Sequence, residues 1–175
     1  MKLWDKTGSE LDNQFEKFTV GNDPILDLEI AKYDVIASIA HVKMLCSINL
    51  LSEGERNSLI QGLNGITKRI EDRTFIIEDG IEDCHSQIEL ELTRELGEVG
   101  KKVHSGRSRN DQVLVALKLY GKAQLEEVAQ KMKSLFELLL SKSERYKDVL
   151  MPGYTHMQVA MPIARHQNIF IPLTF

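Results

Sequence analysis

The segment Lys101-Lys102-Val103-His104-Ser105-Gly106-Arg107-Ser108-Arg109-Asn110-Asp111 sets four formal cations against one anion, in a chain whose total is acidic. It leads into a long run of helix-forming residues. Exposed N–H groups at a helix start, the positive end of its dipole, serine hydroxyls and guanidinium groups together make an anion receptor. An arginine meets a carboxylate or phosphate through two parallel hydrogen bonds. The same residues read equally as a solvated basic loop, with Ser108 or Asn110 capping the helix that follows. An RNA-binding loop is a weaker third reading, because no aromatic residue interleaves the basic ones.

Two further segments carry titratable chemistry. Gly153-Tyr154-Thr155-His156-Met157-Gln158 surrounds an imidazole with hydroxyl and amide groups. A histidine titrates near neutrality, so one on such a loop can move protons. A half-exposed histidine satisfied by a neighbour is the plainer alternative. In Ile81-Glu82-Asp83-Cys84-His85, Asp83 is placed to cap a helix, and His85 falls on the face of Ile88 and Leu92. A cap followed by a core-facing histidine is the favoured reading of that pattern by itself. His85 and His156 form no metal motif with nearby Cys or Glu, so no metal is expected. Cys46 and Cys84 are far apart and read as two free thiols in a reducing compartment.

The elements that must hold these residues are helices. The four prolines are Pro24, Pro152, Pro162 and Pro172, so nothing from Ile25 to Val149 carries the ring that breaks a helix interior. That stretch is rich in Leu, Ile, Ala, Glu, Lys and Gln and lacks the period-two alternation of a strand. The first helix opens at Asn22-Asp23-Pro24 and runs to about Leu50, with Leu28, Ala31, Val35, Val42 and Leu45 along one face. The second opens at Ser52-Glu53-Gly54-Glu55, a capping box, and reaches about Asp72. The third covers Glu82 to Leu96 and faces inward with Ile88, Leu92 and Leu96. The fourth runs from about Asn110 to Tyr146, on the order of 55 Å at 1.5 Å per residue. Its apolar stripe comprises Val113, Leu117, Tyr120, Val128, Met132, Leu135 and Leu139. A helix of that length is usually half of a long bundle whose partners lie in other chains or further sequence. Met151-Pro152-Gly153-Tyr154 then reads as a turn, and a last helix is expected from about Pro162.

The chain has 175 residues, with 22 Lys+Arg against 26 Asp+Glu, a net charge of −4. This balance fits a globular protein with a real core rather than a disordered chain. A mildly acidic total argues against a dedicated nucleic-acid binder. No apolar run approaches the roughly 18 residues of a membrane span. The start, Met1-Lys2-Leu3-Trp4-Asp5-Lys6, lacks the apolar centre of a signal peptide, and a cytoplasmic location is expected.

Val103-His104-Ser105-Gly106-Arg107-Ser108-Arg109-Asn110-Asp111-Gln112-Val113 resembles the signature segment of the argininosuccinate lyase family, within the fumarase/aspartase superfamily. Gly153-Tyr154-Thr155-His156-Met157-Gln158-Val159-Ala160-Met161-Pro162 resembles the family's second conserved region. Lys2-Leu3-Trp4 and the block from Asp83-Cys84-His85 through Glu89 and Leu92 also fit. The most specific match is Gly106 to Val113.

The resemblance implies an all-α fold, with an N-terminal helical domain (residues 1–108) and the beginning of a central helical-bundle domain (residues 109–175). It implies a carbon–nitrogen lyase that splits argininosuccinate into arginine and fumarate, the last step of arginine biosynthesis, without metal or organic cofactor. It implies a homotetramer whose sites draw on several subunits, a small-molecule substrate, and neither nucleic acid nor membrane as partner. On this resemblance His156 is catalytic. Ser108, Arg109, Asn110 and Thr155 bind substrate, and Asp83 and His85 line the pocket. Asp27 stands near a family substrate-binding acid. Leu90 and Glu91 replace two residues that are often arginine. The family's third conserved region, with a catalytic serine loop, has no counterpart here. The chain is therefore expected to be an N-terminal portion with little activity by itself. A non-catalytic structural protein of the same fold is the alternative.

Overall fold

The computed structural model describes residue 18 and residues 21–165. The expectations resting on Lys2-Leu3-Trp4 and on residues 166–175 lie outside those residues. The described elements are six α-helices, a single 3-10 turn and one β-hairpin. They are α1 (Asp23–Leu26), α2 (Leu28–Ser47), α3 (Glu53–Glu71), α4 (Cys84–Leu96), α5 (Glu98–Lys101), the turn Lys102–His104, α6 (Arg109–Arg145), β1 (Leu150–Thr155) and β2 (Gln158–Arg165). The protein is predominantly helical, as the sequence predicts.

Local chemistry sets the helix starts. Pro24 sits in the first turn of α1, where a missing N–H costs nothing. The chain passes through Asp27 in helical conformation and continues as α2. At α3 the capping box forms in full: Glu55 Oε2 accepts from Ser52 N–H at 2.8 Å, and Ser52 Oγ accepts from Glu55 N–H at 3.3 Å. Lys68 and Arg69 occupy the last turn of α3, the negative end of its dipole. Asp83 caps α4, accepting from Ser86 N–H at 2.6 Å.

The chain divides into two compact units, one through Gly121 and one from Lys122 onward. In the first, α2, α3 and α4 enclose one core. Ala31, Val35, Val42 and Leu45 meet Leu59, Leu63, Ile66, Ile88 and Leu92, with Cys84, Phe75 and Val103 closing it. Each large side chain fully removed from water there stabilises the fold by about 1.5–3 kcal/mol. The inward face of α2 differs from the predicted one at its start. Leu28 remains 38% exposed, and Ile30 and Ala31 take the buried positions. Two polar residues, Asp34 and Ser38, share that buried face. At the far end Gly100 lies against the last turn of α4, where an added Cβ would run into the Leu92 carbonyl.

The 37 residues of α6 form one continuous helix. Within the first unit Gln112 and Ala116 are buried, and Tyr120 meets Tyr33 edge-on at 5.8 Å. Within the second unit Leu125, Val128, Met132 and Leu135 are exposed. After the helix the expected turn and helix start are replaced by the hairpin. β1 and β2 pair antiparallel, with Thr155 opposite Gln158 and register shifts on either side of Gly153. His156 and Met157 make the two-residue loop at φ of 51° and 64°. Left-handed values at both central positions are what a tight hairpin with native twist requires. Pro162 therefore lies in a strand, not at a helix start.

Candidate functional site

Asp83, His85, Ser108, Arg109 and Asn110, all expected from sequence to bind substrate, belong to the first unit. Thr155 and His156 belong to the second, Thr155 ending β1 and His156 following it on the loop, its side chain exposed.

The start of α6 is built by its own first turn. Ser108 Oγ accepts from Asn110 N–H at 3.2 Å, and Asp111 Oδ2 accepts from Ser108 N–H at 3.1 Å. Asp111, the third helical residue, thus makes the return half of a capping box, while the Ser108 hydroxyl serves the second N–H of the helix rather than the third. Gly106, at φ 71°, turns the chain just before it, a conformation that other residues adopt only with strain. Ser108 thus serves the helix cap that the sequence allowed as its alternative role. Asn110 is exposed beside it.

Arg109 is the best-braced cation of the site. Its Nη1 donates to Gln112 Oε1 at 2.9 Å and its Nη2 to Ser86 Oγ at 3.2 Å. Asp83 Oδ2 lies 3.8 Å from Nε, and Glu89 Oε2 lies 3.8 Å from Nη2. The guanidinium is therefore held between the first turns of α4 and α6, half-buried and charge-compensated. Two of its five N–H donors are engaged in close hydrogen bonds, and Nε and Nη2 also face the Asp83 and Glu89 carboxylates at longer range.

His85 lies on α4 one turn before Ile88 and is 2% exposed. Its Nδ1 stands 3.1 Å from Oδ1 of Asp34, which is wholly buried on α2. The pair is close but off-line for a hydrogen bond, and neither atom has another hydrogen-bond partner. The other carboxylate oxygen, Asp34 Oδ2, accepts from Gln112 Nε2 at 2.9 Å. Arg107 reaches back to α2 as well, its Nη2 donating to Ser38 Oγ at 2.9 Å. Burial pulls the Arg107 guanidinium below its usual range, with the nearby Asp34 carboxylate opposing that. Burial likewise lowers His104, helped by the neighbouring Arg109, so its ring favours the neutral form.

Asp27, Cys84 and His85 bring a carboxylate oxygen, a thiol sulfur and a ring nitrogen within 4.8 Å of one another. The sequence spacing did not suggest this group. Its chemistry suits a metal poorly as it stands. Burial pushes the Cys84 thiol well up, and Asp27, Asp34 and Asp83 push it further, whereas a metal needs the thiolate. Asp27 is already engaged: its Oδ2 accepts from the first N–H of α4, at Cys84, at 3.0 Å. Burial raises Asp27 above the usual carboxylate range, against the pull of that hydrogen bond. Cys46 and Cys84 are both free thiols.

Sequence reasoning missed Asp34, Ser38, Ser86, Glu89 and Gln112 as members of this cluster. The available signal was an aspartate and a serine four residues apart within the apolar stripe of α2. Glu91, where an arginine was the family expectation, lies elsewhere. It pairs with Arg69 and accepts from Gln87 Nε2 at 3.1 Å, beside a groove of about 520 Å³ between α3 and α4. That groove is lined by Gly62, Gly65, Ile66, Arg69, Glu78, Glu91, Arg94 and Glu95, none of them a residue of the candidate site.

Residues 6–170 match the family model described as Lyase, and the chain belongs to that lyase family. Among individual proteins it is 57% identical, over 92% of its length, to the argininosuccinate lyase of Phocaeicola vulgatus. It is 55% identical to that of Bacteroides thetaiotaomicron and 44% identical to that of Thermotoga neapolitana, again over 92% of its length. The chain spans 36% of the length of the first two of these relatives and 40% of the third. Among the described residues no helix is long and apolar enough to cross a membrane.

Proposed function

We propose that the whole protein to which these residues belong cleaves argininosuccinate into arginine and fumarate by β-elimination. The observation that carries this reading is Arg109: a half-buried guanidinium fixed by Gln112 and Ser86 at the start of the long helix, with donors beyond those two hydrogen bonds. The identity to proteins named argininosuccinate lyase supports the choice of substrate.

The chemistry asks for three things. A proton must leave the carbon beside a carboxylate of the succinyl part. The electron pair of that C–H bond forms the new C=C bond as the C–N bond breaks. The guanidino nitrogen takes the departing pair and a proton. Negative charge grows on the carboxylate during the first step, and preorganised cations and N–H groups lower that barrier. Arg109 and Asn110 hold this dicarboxylate part, with Ser108 shaping the turn beneath them. Asp83 and His85 line the pocket from α4, Thr155 holds a carboxylate, and His156 moves a proton. No metal or organic cofactor enters these steps.

The long apolar stripe of α6 supports a shared bundle, and we extend the proposal to a homotetramer in the cytoplasm. Residues 1–108 then form the N-terminal domain, and residues 109–175 begin the central bundle. The test is fumarate release from argininosuccinate by the complete protein, followed by ultraviolet absorbance. Steady release, nearly abolished by His156→Asn, is the expected result. No release by the complete protein, or normal turnover in the variant, would overturn the assignment.

A further inference from the structure

Asp34 and Gln112 join two residues that the proposed function uses, His85 and Arg109. Gln112 donates from Nε2 to Asp34 Oδ2 and accepts at Oε1 from Arg109 Nη1, both at 2.9 Å. Asp34 presents its second oxygen, Oδ1, to His85 Nδ1 at 3.1 Å. The line Arg109–Gln112–Asp34–His85 thus crosses from α6 through α2 to α4.

Its polarity has one consistent solution. A guanidinium only donates, so Gln112 must turn its carbonyl toward Arg109 and its NH2 toward Asp34. A carboxylate only accepts, so a bare ring nitrogen 3.1 Å from Asp34 Oδ1 would set lone pair against lone pair, whereas a protonated Nδ1 faces an acceptor there. Asp34 is 0% exposed and Gln112 is buried, so water does not offer either an alternative partner. Asp34 Oδ1 and His85 Nδ1 have no other hydrogen-bond partner, so each is the group that can satisfy the other. Leaving both unpaired in the interior would cost each its hydration without return.

We propose that Asp34 and Gln112 are positioning residues: Asp34 fixes the His85 proton on Nδ1, leaving Nε2 to address the ligand, and Gln112 ties that pair to the Arg109 guanidinium. The identity of the ligand rests on the proposed lyase function; the proton placement does not. A carboxylate behind a histidine sets which ring nitrogen works at the front.

The proton placement is read by nitrogen-15 NMR on the complete protein labelled in histidine, with His85→Gln identifying the signal. A protonated Nδ1 on His85 is expected in the unaltered protein, and a bare Nδ1 overturns the proposal without any variant of Asp34. Asp34→Asn should release that constraint, so that the Nε2-protonated form becomes populated; an unchanged pattern in a folded Asp34→Asn protein also overturns it. Gln112→Met keeps the His85 pattern but frees Arg109. It should raise KM for argininosuccinate at least tenfold, with a smaller effect on kcat; an unchanged KM removes Gln112 from the proposal. If the complete protein does not cleave argininosuccinate, the lyase reading fails, while the NMR result still decides the role of Asp34.

Discussion

Asp83 and Arg109 are joined by a carboxylate that serves two helices at once. Its Oδ1 caps α4 by accepting from Ser86 N–H at 2.6 Å, and its Oδ2 faces Arg109 Nε at 3.8 Å on α6. The two roles respond differently to substitution. Asp83→Asn keeps an oxygen for the cap and removes the charge, so stability should change by less than about 0.5 kcal/mol. Asp83→Ala removes both, and loss of the cap should cost about 1 kcal/mol. Thermal melts read the cap, and substrate KM in the complete protein reads the charge. Both variants should raise KM to a similar degree, whereas only Asp83→Ala should lower Tm clearly.

Glu55 gives the first unit an acid-sensitive contact. Hydrogen bonding to Lys102, and then to the backbone of Ser52, holds its carboxyl down at about 2 from an ordinary value of 4.5. The folded form thus releases this proton more readily than the unfolded chain. The resulting stabilisation is fully present above about pH 4.5 and is lost as the pH falls toward about 2. Denaturant melts across this range should show the loss. Glu55→Gln should be less stable at neutral pH and show a shallower decline over the same window. Lys102→Met keeps the cap and removes the larger cause, so the Glu55 carboxyl should move back toward 4.5, and the acid loss should be smaller and complete at a higher pH. Identical acid limbs in all three proteins would show that the contact contributes nothing.

Gly100 is where packing leaves no room. A Cβ there would overlap the Leu92 carbonyl and the Thr93 nitrogen, both backbone atoms that cannot swing aside. Gly100→Ala should therefore destabilise the first unit by about 2 kcal/mol or more, the range of overpacked interiors. Gly65 on α3 meets nothing within 4 Å and is a matched control. Gly65→Ala should leave Tm unchanged or raise it, since alanine is the better helix former by about 1 kcal/mol. Equal melts for the two variants would contradict the close approach at Gly100.

Much of this architecture is legible in the sequence, because the signals are local. The Ser52–Glu55 box, the Asp83 cap and the proline-free span each act within four residues, and each forms as expected. The position of Leu28 was less legible: it sits in the first turn of α2, before the core begins, where periodicity alone does not say which side is covered. The hairpin at β1 and β2 is a larger departure. Its two-residue loop lacks the Asn-Gly or Asp-Gly pair that usually marks such turns, and Pro152 and Pro162 read as helix boundaries rather than strand residues. Within the candidate site, residues of one segment were readable as a group, such as Ser108, Arg109 and Asn110. Asp34 and Gln112 were not, because their meaning depends on a contact across 78 positions of chain.

The exposed stripe of α6 in the second unit leads to a prediction about assembly. Leu125 is 72% exposed and Met132 66%, with Val128 and Leu135 also open to solvent. These four fall on nearby turns of one helix, at separations of three, four and three residues, which place them along one face. Ion pairs such as Lys131–Glu127, at 2.6 Å, lie elsewhere on the same helix and add little by themselves. A continuous apolar face on a 37-residue helix is the pattern of a bundle contributed by several chains. Covering a Met or Leu is worth about 1.5–3 kcal/mol each, so placing charges at two of them should weaken association by roughly two to four orders of magnitude. Met132→Glu with Leu135→Glu should therefore shift the complete protein toward smaller species in light scattering at micromolar concentration. The helix itself should persist by circular dichroism, because glutamate is a good helix former. An unchanged oligomer in the double variant would show that this face is covered by its own chain instead.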